Sequence, residues 1–248
     1  MKTIYVCITH FERPEMLMRL VKQLDREGRR AGVSLRVFVV DDASKGFAKL
    51  YESLQIYQSV HFRIESIRLS EHQDKKGFWR LVNHLLAMVR RDAVPSDFVY
   101  FLQDDVEIAK DFFGKSTNAF GTLEENDPDT ATLVLFKPDT GYRERWTQIA
   151  PRLDSDRGVY YLGWVDMLFM CRAKFVNEFI QTVYRISPTR WDADPLLSSG
   201  VGQQISLRAA RAGFSMYGVA DTLLYHGGHA SRLNPLERDR TTLTAKKP

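Results

Sequence analysis

Two apolar runs in this sequence end in paired carboxylates. Phe98-Val99-Tyr100-Phe101-Leu102 has the β-branched and aromatic make-up of a buried strand and stops at Gln103-Asp104-Asp105. Leu35 to Val40 does the same and stops at Asp41-Asp42. An unpaired carboxylate is costly to bury, so each pair belongs at an open end of a sheet, where α/β proteins bind their ligands. Two acidic side chains in such a crevice suit a divalent cation and the phosphate it accompanies. The competing reading is an acidic turn after the strand or, for Asp41-Asp42, a helix cap. Two further stretches carry polar chemistry: Thr9-His10-Phe11-Glu12-Arg13 after the first apolar run, and His226-Gly227-Gly228-His229 late in the chain.

Periodicity supplies the elements that must position these groups. Ile4 to Ile8 reads as a strand, and Pro14 opens a helix from about Glu15 to Arg29 with an apolar stripe of Met16, Leu17, Leu20, Val21 and Leu24. Gly32 closes the turn into the strand over 35–40, which makes a right-handed parallel βαβ unit. A helix over 47–58, a strand over 62–68, a polar loop over 70–78 and a helix over 79–91 follow. The strand that ends in Asp104-Asp105 lies ahead of a helix over 111–125 and a strand over 132–137. Residues 138–157 are loop-rich around Trp146 and read as an insertion or lid. The apolar run 159–171 is broken only by Asp166, and a helix over 173–184 comes next. A turn-rich segment over 189–195, a helix over 203–212 and strands over 214–219 and 222–225 complete the core. The first turn lacks the glycine-rich phosphate loop of a dinucleotide-binding Rossmann unit, which disfavours that fold.

With 248 residues, 44% hydrophobic and 27% charged, the chain has ordinary globular composition and enough length for one sizeable α/β core. No repeat or low-complexity block divides it. Two cysteines, Cys7 and Cys171, lie far apart in apolar runs, which argues against a disulfide framework and for a reducing cytoplasm. Residues 1–8 read as a strand and not as a signal peptide, and no apolar run approaches the roughly 20 residues that span a bilayer. A net charge of +4 and a pI near 9.0 fit anionic ligands and are compatible with a nucleic-acid partner.

Taken together, these stretches resemble the family-2-like nucleotide-sugar glycosyltransferases with the GT-A fold. The likeness rests on Ile8-Thr9-His10-Phe11-Glu12-Arg13-Pro14, Val39-Val40-Asp41-Asp42-Ala43-Ser44, Leu102-Gln103-Asp104-Asp105, and the segment from Ile205 to Phe214 continued to Tyr225-His226. It implies a single α/β GT-A domain over 1–235, with a mostly parallel central sheet flanked by helices. The donor half would be about 1–110, the acceptor half about 111–235, and 236–248 a charged, loosely ordered tail. It implies a metal-dependent transferase moving a sugar from a nucleotide-sugar donor, UDP-sugar favoured, to a hydroxyl acceptor. That acceptor would be a saccharide, a lipid-linked sugar or a modified nucleic-acid base. Asp105 matches the ligand of Mn²⁺ or Mg²⁺, and His226 or His229 the late histidine that completes the metal shell. Gln103 and Asp104 match ribose and sugar contacts, Asp41 or Asp42 the carboxylate that reads the base, and Thr9 and Arg13 donor contacts.

The resemblance fails at the catalytic base. Inverting relatives carry a Glu-Asp pair where this chain has Val201-Gly202, with Gln203-Gln204 after it, and none of these side chains can take a proton. Either Asp166, Asp192 or Asp194 substitutes, or the reaction retains configuration and needs no such base. Trp164 and Trp191 are candidate stacking surfaces or core residues. Two other classes compete: a nucleotide-sugar-binding protein with a decayed active site and, further behind, a nucleotidyltransferase.

Overall fold

The structure, a computed structural model, describes residues 2–138, 150–192, 194 and 197–226. β1 (Thr3–His10) is buried almost throughout, which requires cover on both faces of the sheet it joins. α1 (Pro14–Ala31) follows; Leu17, Leu20, Val21 and Leu24 of its stripe are buried, and Gly32 ends it in a left-handed conformation at φ 64°. β2 (Ser34–Asp41) pairs parallel with β1, and α2 (Phe47–Gln55) leads to β3 (Phe62–Arg68), parallel to β2. α3 (Asp74–Asp92) then returns the chain to β4 (Phe98–Gln103), which pairs parallel with the other side of β1.

Beyond β4 come β5 (Val106–Ile108), α4 (Phe112–Asn126), β6 (Thr130–Val134), β7 (Arg152–Asp154), β8 (Val159–Leu162) and β9 (Phe169–Arg172). α5 (Val201–Arg211), β10 (Ser215–Val219) and β11 (Leu224–His226) complete the described elements. Nine strands form one sheet in the order β3-β2-β1-β4-β9-β6-β10-β8-β7, in which only β8 and β9 run against the rest. β5 and β11 make a separate antiparallel ribbon. The chain winds outward from β1 to β3 and then returns to the far side of β1. The strand order therefore reverses between β1 and β4, and a crevice opens at the C-terminal ends of those two strands.

Two sequence expectations, on the start of α3 and on the helix over 173–184, are corrected. β4 stops at Gln103, Asp104-Asp105 form a turn, and β5 belongs to the other sheet. A carboxylate pair inside a nine-stranded sheet would be desolvated, and the turn keeps it at the rim. α3 begins at Asp74, inside the expected polar loop, because Asp42 accepts the amides at its start. In place of the helix over 173–184 there is one π-helical turn, Phe175–Ile180, stopped at Gln181 (φ 49°), with Phe175 and Phe179 stacked against each other and edge-on to Phe214. Of the expected insertion, 139–149 lies outside the described residues, as do His229 and the tail. Among the described residues, no helix is long and apolar enough to cross a membrane.

α5 is held against the link between β8 and β9. Ser206 Oγ accepts the Val165 amide at 2.8 Å, and a Cβ added at Gly202 would lie 2.6 Å from the Val165 carbonyl oxygen. A backbone oxygen gives way poorly, so Gly202→Ala is expected to destabilise the protein by about 1–3 kcal/mol. Urea unfolding with an unchanged slope checks this. The same contact explains why no acidic side chain stands at this position.

Candidate functional site

β1 and β4 end side by side, with Thr9 paired to Gln103, and β1 and β2 end with His10 paired to Asp41. Around this switch point lies a cleft. Thr9, His10, Phe11 and Arg13 line it after β1, Asp42 after β2, and Gln103, Asp104 and Asp105 after β4, with Phe78 and Leu81 of α3 as its apolar wall. Thr9, Arg13, Asp42, Gln103, Asp104 and Asp105, each singled out from sequence, are thus brought together. The free volume is about 40 Å³, room for water only, because the chain's own side chains fill the cleft.

Asp104 and Asp105 are each 6% exposed. The Arg13 guanidinium forms an ion pair with Asp105 Oδ2 and lies 3.8 Å from Asp104 Oδ1. Asp104 Oδ2 accepts the Phe11 amide at 3.2 Å. Burial first and the neighbouring Asp105 next push the Asp104 carboxyl up from 3.8 to about 7, against the opposing pull of His10, the Phe11 amide and Arg13. Below that value the folded protein holds a proton that the unfolded chain has released. With chelator present, stability should therefore fall as pH rises from about 4 through 7, each unit of displacement being worth about 1.4 kcal/mol. Melting temperatures across that range check this, and Asp104→Asn should flatten the slope.

Asp41 turns away from the cleft. Its Oδ2 accepts the His10 Nδ1–H at 2.6 Å and its Oδ1 accepts the Ser44 amide at 2.8 Å, and all three groups are buried. His10 Nε2 in turn accepts the Arg13 amide at 3.3 Å, so the Asp41–His10 pair fixes the turn from which Arg13 reaches Asp105. Asp42 faces the cleft, and its oxygens accept the amides of Gln73 (2.6 Å) and Asp74 (3.2 Å) at the start of α3. His72 Nδ1 lies 2.8 Å from Asp42 Oδ2, and the His72 ring is stacked on Phe11. Burial raises the Asp42 pKa, against the Gln73 amide and the His72 charge. The cap expected for the helix after β2 is thus made to α3, 31 residues on. Sequence reasoning gave no role to Phe11 in the cleft or to His72, which stacks on Phe11 beside it; His72 stands in a polar loop with no pattern to mark it.

None of Asp166, Asp192 and Asp194 lines the cleft. Asp166 lies in the link before β9, whose Phe169 pairs with Phe101 of β4. It also follows Val165, the residue against which Gly202 packs at the start of α5. Asp192 is exposed after a 3-10 turn, Pro188–Trp191, and Asp194 accepts the Leu197 amide through its carbonyl. Trp164 and Trp191 are each 4% exposed and belong to the interior, with no open face for stacking a ligand.

Among the described residues, no group of three or more His, Cys, Asp or Glu side chains is arranged to hold a metal ion. The donor chemistry nonetheless fits a hard cation: two adjacent carboxylates at a strand end, with a guanidinium seated on them as a stand-in. The β5–β11 ribbon sets the backbone of His226 opposite Val106, the residue after Asp105.

The fold has counterparts among solved structures. GalNAc-T7 solved with UDP, GalNAc and Mn²⁺ aligns over 95% of this chain with a TM-score of 0.61 at 15% identity. This is a GT-A fold. A second match is the mannosyltransferase PcManGT from Pyrobaculum calidifontis with GDP-Man and Mn²⁺ (TM-score 0.60, 14% identity, 93% of this chain). Residues 1–349 of S. aureus TarS with UDP also align (TM-score 0.59, 13% identity, 91% of this chain). The chain spans 47%, 58% and 60% of these three structures respectively, so it matches the GT-A fold and not their whole length. No family model and no curated protein matches the sequence.

Proposed function

We propose that the protein is a metal-dependent glycosyltransferase that takes a sugar from a nucleoside diphosphate, UDP favoured, and passes it to a hydroxyl acceptor. The observation that carries this reading is the buried Asp104-Asp105 pair at the switch point with a cation, Arg13, seated on it. Solved GT-A counterparts bound to UDP or GDP-Man with Mn²⁺ support it. Asp105 would hold the cation, with His226 or His229 completing the shell. A divalent ion there supplies Lewis acidity and neutralises the departing diphosphate without proton transfer. Gln103 and Asp104 bind ribose and sugar hydroxyls, Thr9 orients the donor, and Arg13 turns from the carboxylates to the diphosphate when both are present. Asp42 reads the base and Asp41 holds the turn behind it. Asp166 is the proton acceptor, because it precedes β9, the strand beside β4, and lies against Gly202 at the α5 terminus.

A second reading, a nucleotide-sugar-binding protein with a decayed site, draws on Gly202, where the Val165 carbonyl leaves no room for an acidic side chain. UDP release from a panel of UDP-sugars with Mn²⁺, with and without saccharide acceptors, separates the two. Turnover supports the transferase, while donors that bind without turnover support the decayed site. The acceptor is a saccharide, a lipid-linked sugar or a modified nucleic-acid base, and salt-sensitive retardation of DNA distinguishes the last.

A further inference from the structure

Phe11 and His72 form a stacked pair at the rim of the cleft, ring centroids 4.0 Å apart and planes 11° from parallel. The same imidazole places Nδ1 2.8 Å from Oδ2 of Asp42, a carboxylate with no solvent exposure. A flat ring stacked on an aromatic face, with an in-plane N–H given to a buried carboxylate, is what a nucleobase carrying a ring N–H would offer there. One element away, the Arg13 guanidinium holds Asp105 as a cation would. Both halves of the cleft are thus filled by side chains of matching chemistry, one ring and one cation.

We infer that His72 is a specificity-determining residue: its imidazole occupies the base subsite, and a base enters only by replacing it on Phe11 and giving an N–H to Asp42. The inference rests on the donor-site reading and adds a competitor to it. The His72 side chain is 42% exposed and comes from the link between β3 and α3, so it can swing out into solvent without leaving a buried group bare. Asp42 cannot leave, because the Gln73 and Asp74 amides hold it in place. An incoming base must therefore match what His72 gives up. Uracil N3–H and guanine N1–H can donate. The ring nitrogens of cytosine and adenine at those positions are acceptors and would face a carboxylate, which should weaken binding on the order of tenfold to a hundredfold.

Removing the competitor should tighten binding, since a site that is open for only a fraction of the time binds more weakly by that fraction. The experiment is calorimetric titration of wild type and His72→Ala with UDP, GDP, CDP and ADP in Mn²⁺. His72→Ala should bind UDP and GDP roughly three- to tenfold more tightly than wild type, with the preference over CDP and ADP retained through Asp42. His72→Gln, which keeps a donor for Asp42 but loses the ring, should fall between the two. In wild type, the ring-current shift on the His72 Cε1 proton should collapse when UDP is added. Mn²⁺-dependent UDP binding to wild type that is equal or weaker in His72→Ala overturns the inference and leaves the donor site standing. Absence of nucleotide binding to either protein overturns both.

Discussion

Replacing Asp105 with asparagine should abolish the rise in melting temperature that Mn²⁺ and UDP together give the wild-type protein. Asparagine keeps the shape of the side chain and removes the negative charge that a hard cation needs. Loss of a partner outside the ligand shell already costs about 10- to 100-fold in metal affinity, so loss of a ligand itself should cost at least that. Turnover should fall by about 10²–10³, the usual loss when one electrostatic contact to the developing charge is removed. The variant also breaks the ion pair with Arg13, so its resting stability will differ from wild type. The quantity to compare is therefore the ligand-induced shift within each protein, which reports binding to the folded state alone. An undiminished shift in Asp105→Asn would remove Asp105 from the metal site.

Much of the donor-side frame was legible because it is written in local pattern. The α1 stripe, Pro14 and Gly32 mark a helix between two short apolar runs, and the second of these, like the run over 98–102, leads into a pair of acids that favours the end of a sheet. What escaped was set by contacts distant in sequence. α3 starts at Asp74 because a carboxylate 32 residues earlier accepts its first amides, and no window around Asp74-Lys75-Lys76-Gly77 contains that fact. The apolar run 159–171 gave no sign that it would form two strands, β8 pairing with β10 and β9 wedged between β4 and β6. Periodicity also could not separate Asp41 from Asp42. The two alternate across the strand end, and the buried His10 imidazole and the Ser44 amide hold Asp41 facing inward. His72 shows the limit most sharply: its contacts are to a ring in the turn after β1 and a carboxylate just after β2.

Asp166→Asn should lower kcat by about 10²–10⁴ while leaving Mn²⁺ and UDP binding intact. The reasoning starts from what α5 forbids. Val201 is fully buried and Gly202 is pressed against the Val165 carbonyl, so neither position can present a carboxylate to an acceptor. That same packing brings the chain just before β9 to the start of α5, and the first residue there able to take a proton is Asp166. Its side chain is partly exposed and accepts the neighbouring Met167 amide, so asparagine should be tolerated without unfolding. A fall in kcat with an unchanged ligand-induced melting shift separates proton transfer from donor binding, which a merely structural role would not do. Asp192→Asn and Asp194→Asn should stay near wild type. If all three variants keep full turnover, no carboxylate among them takes the acceptor proton, and the anomeric configuration of the product, read by NMR, should then match that of the donor.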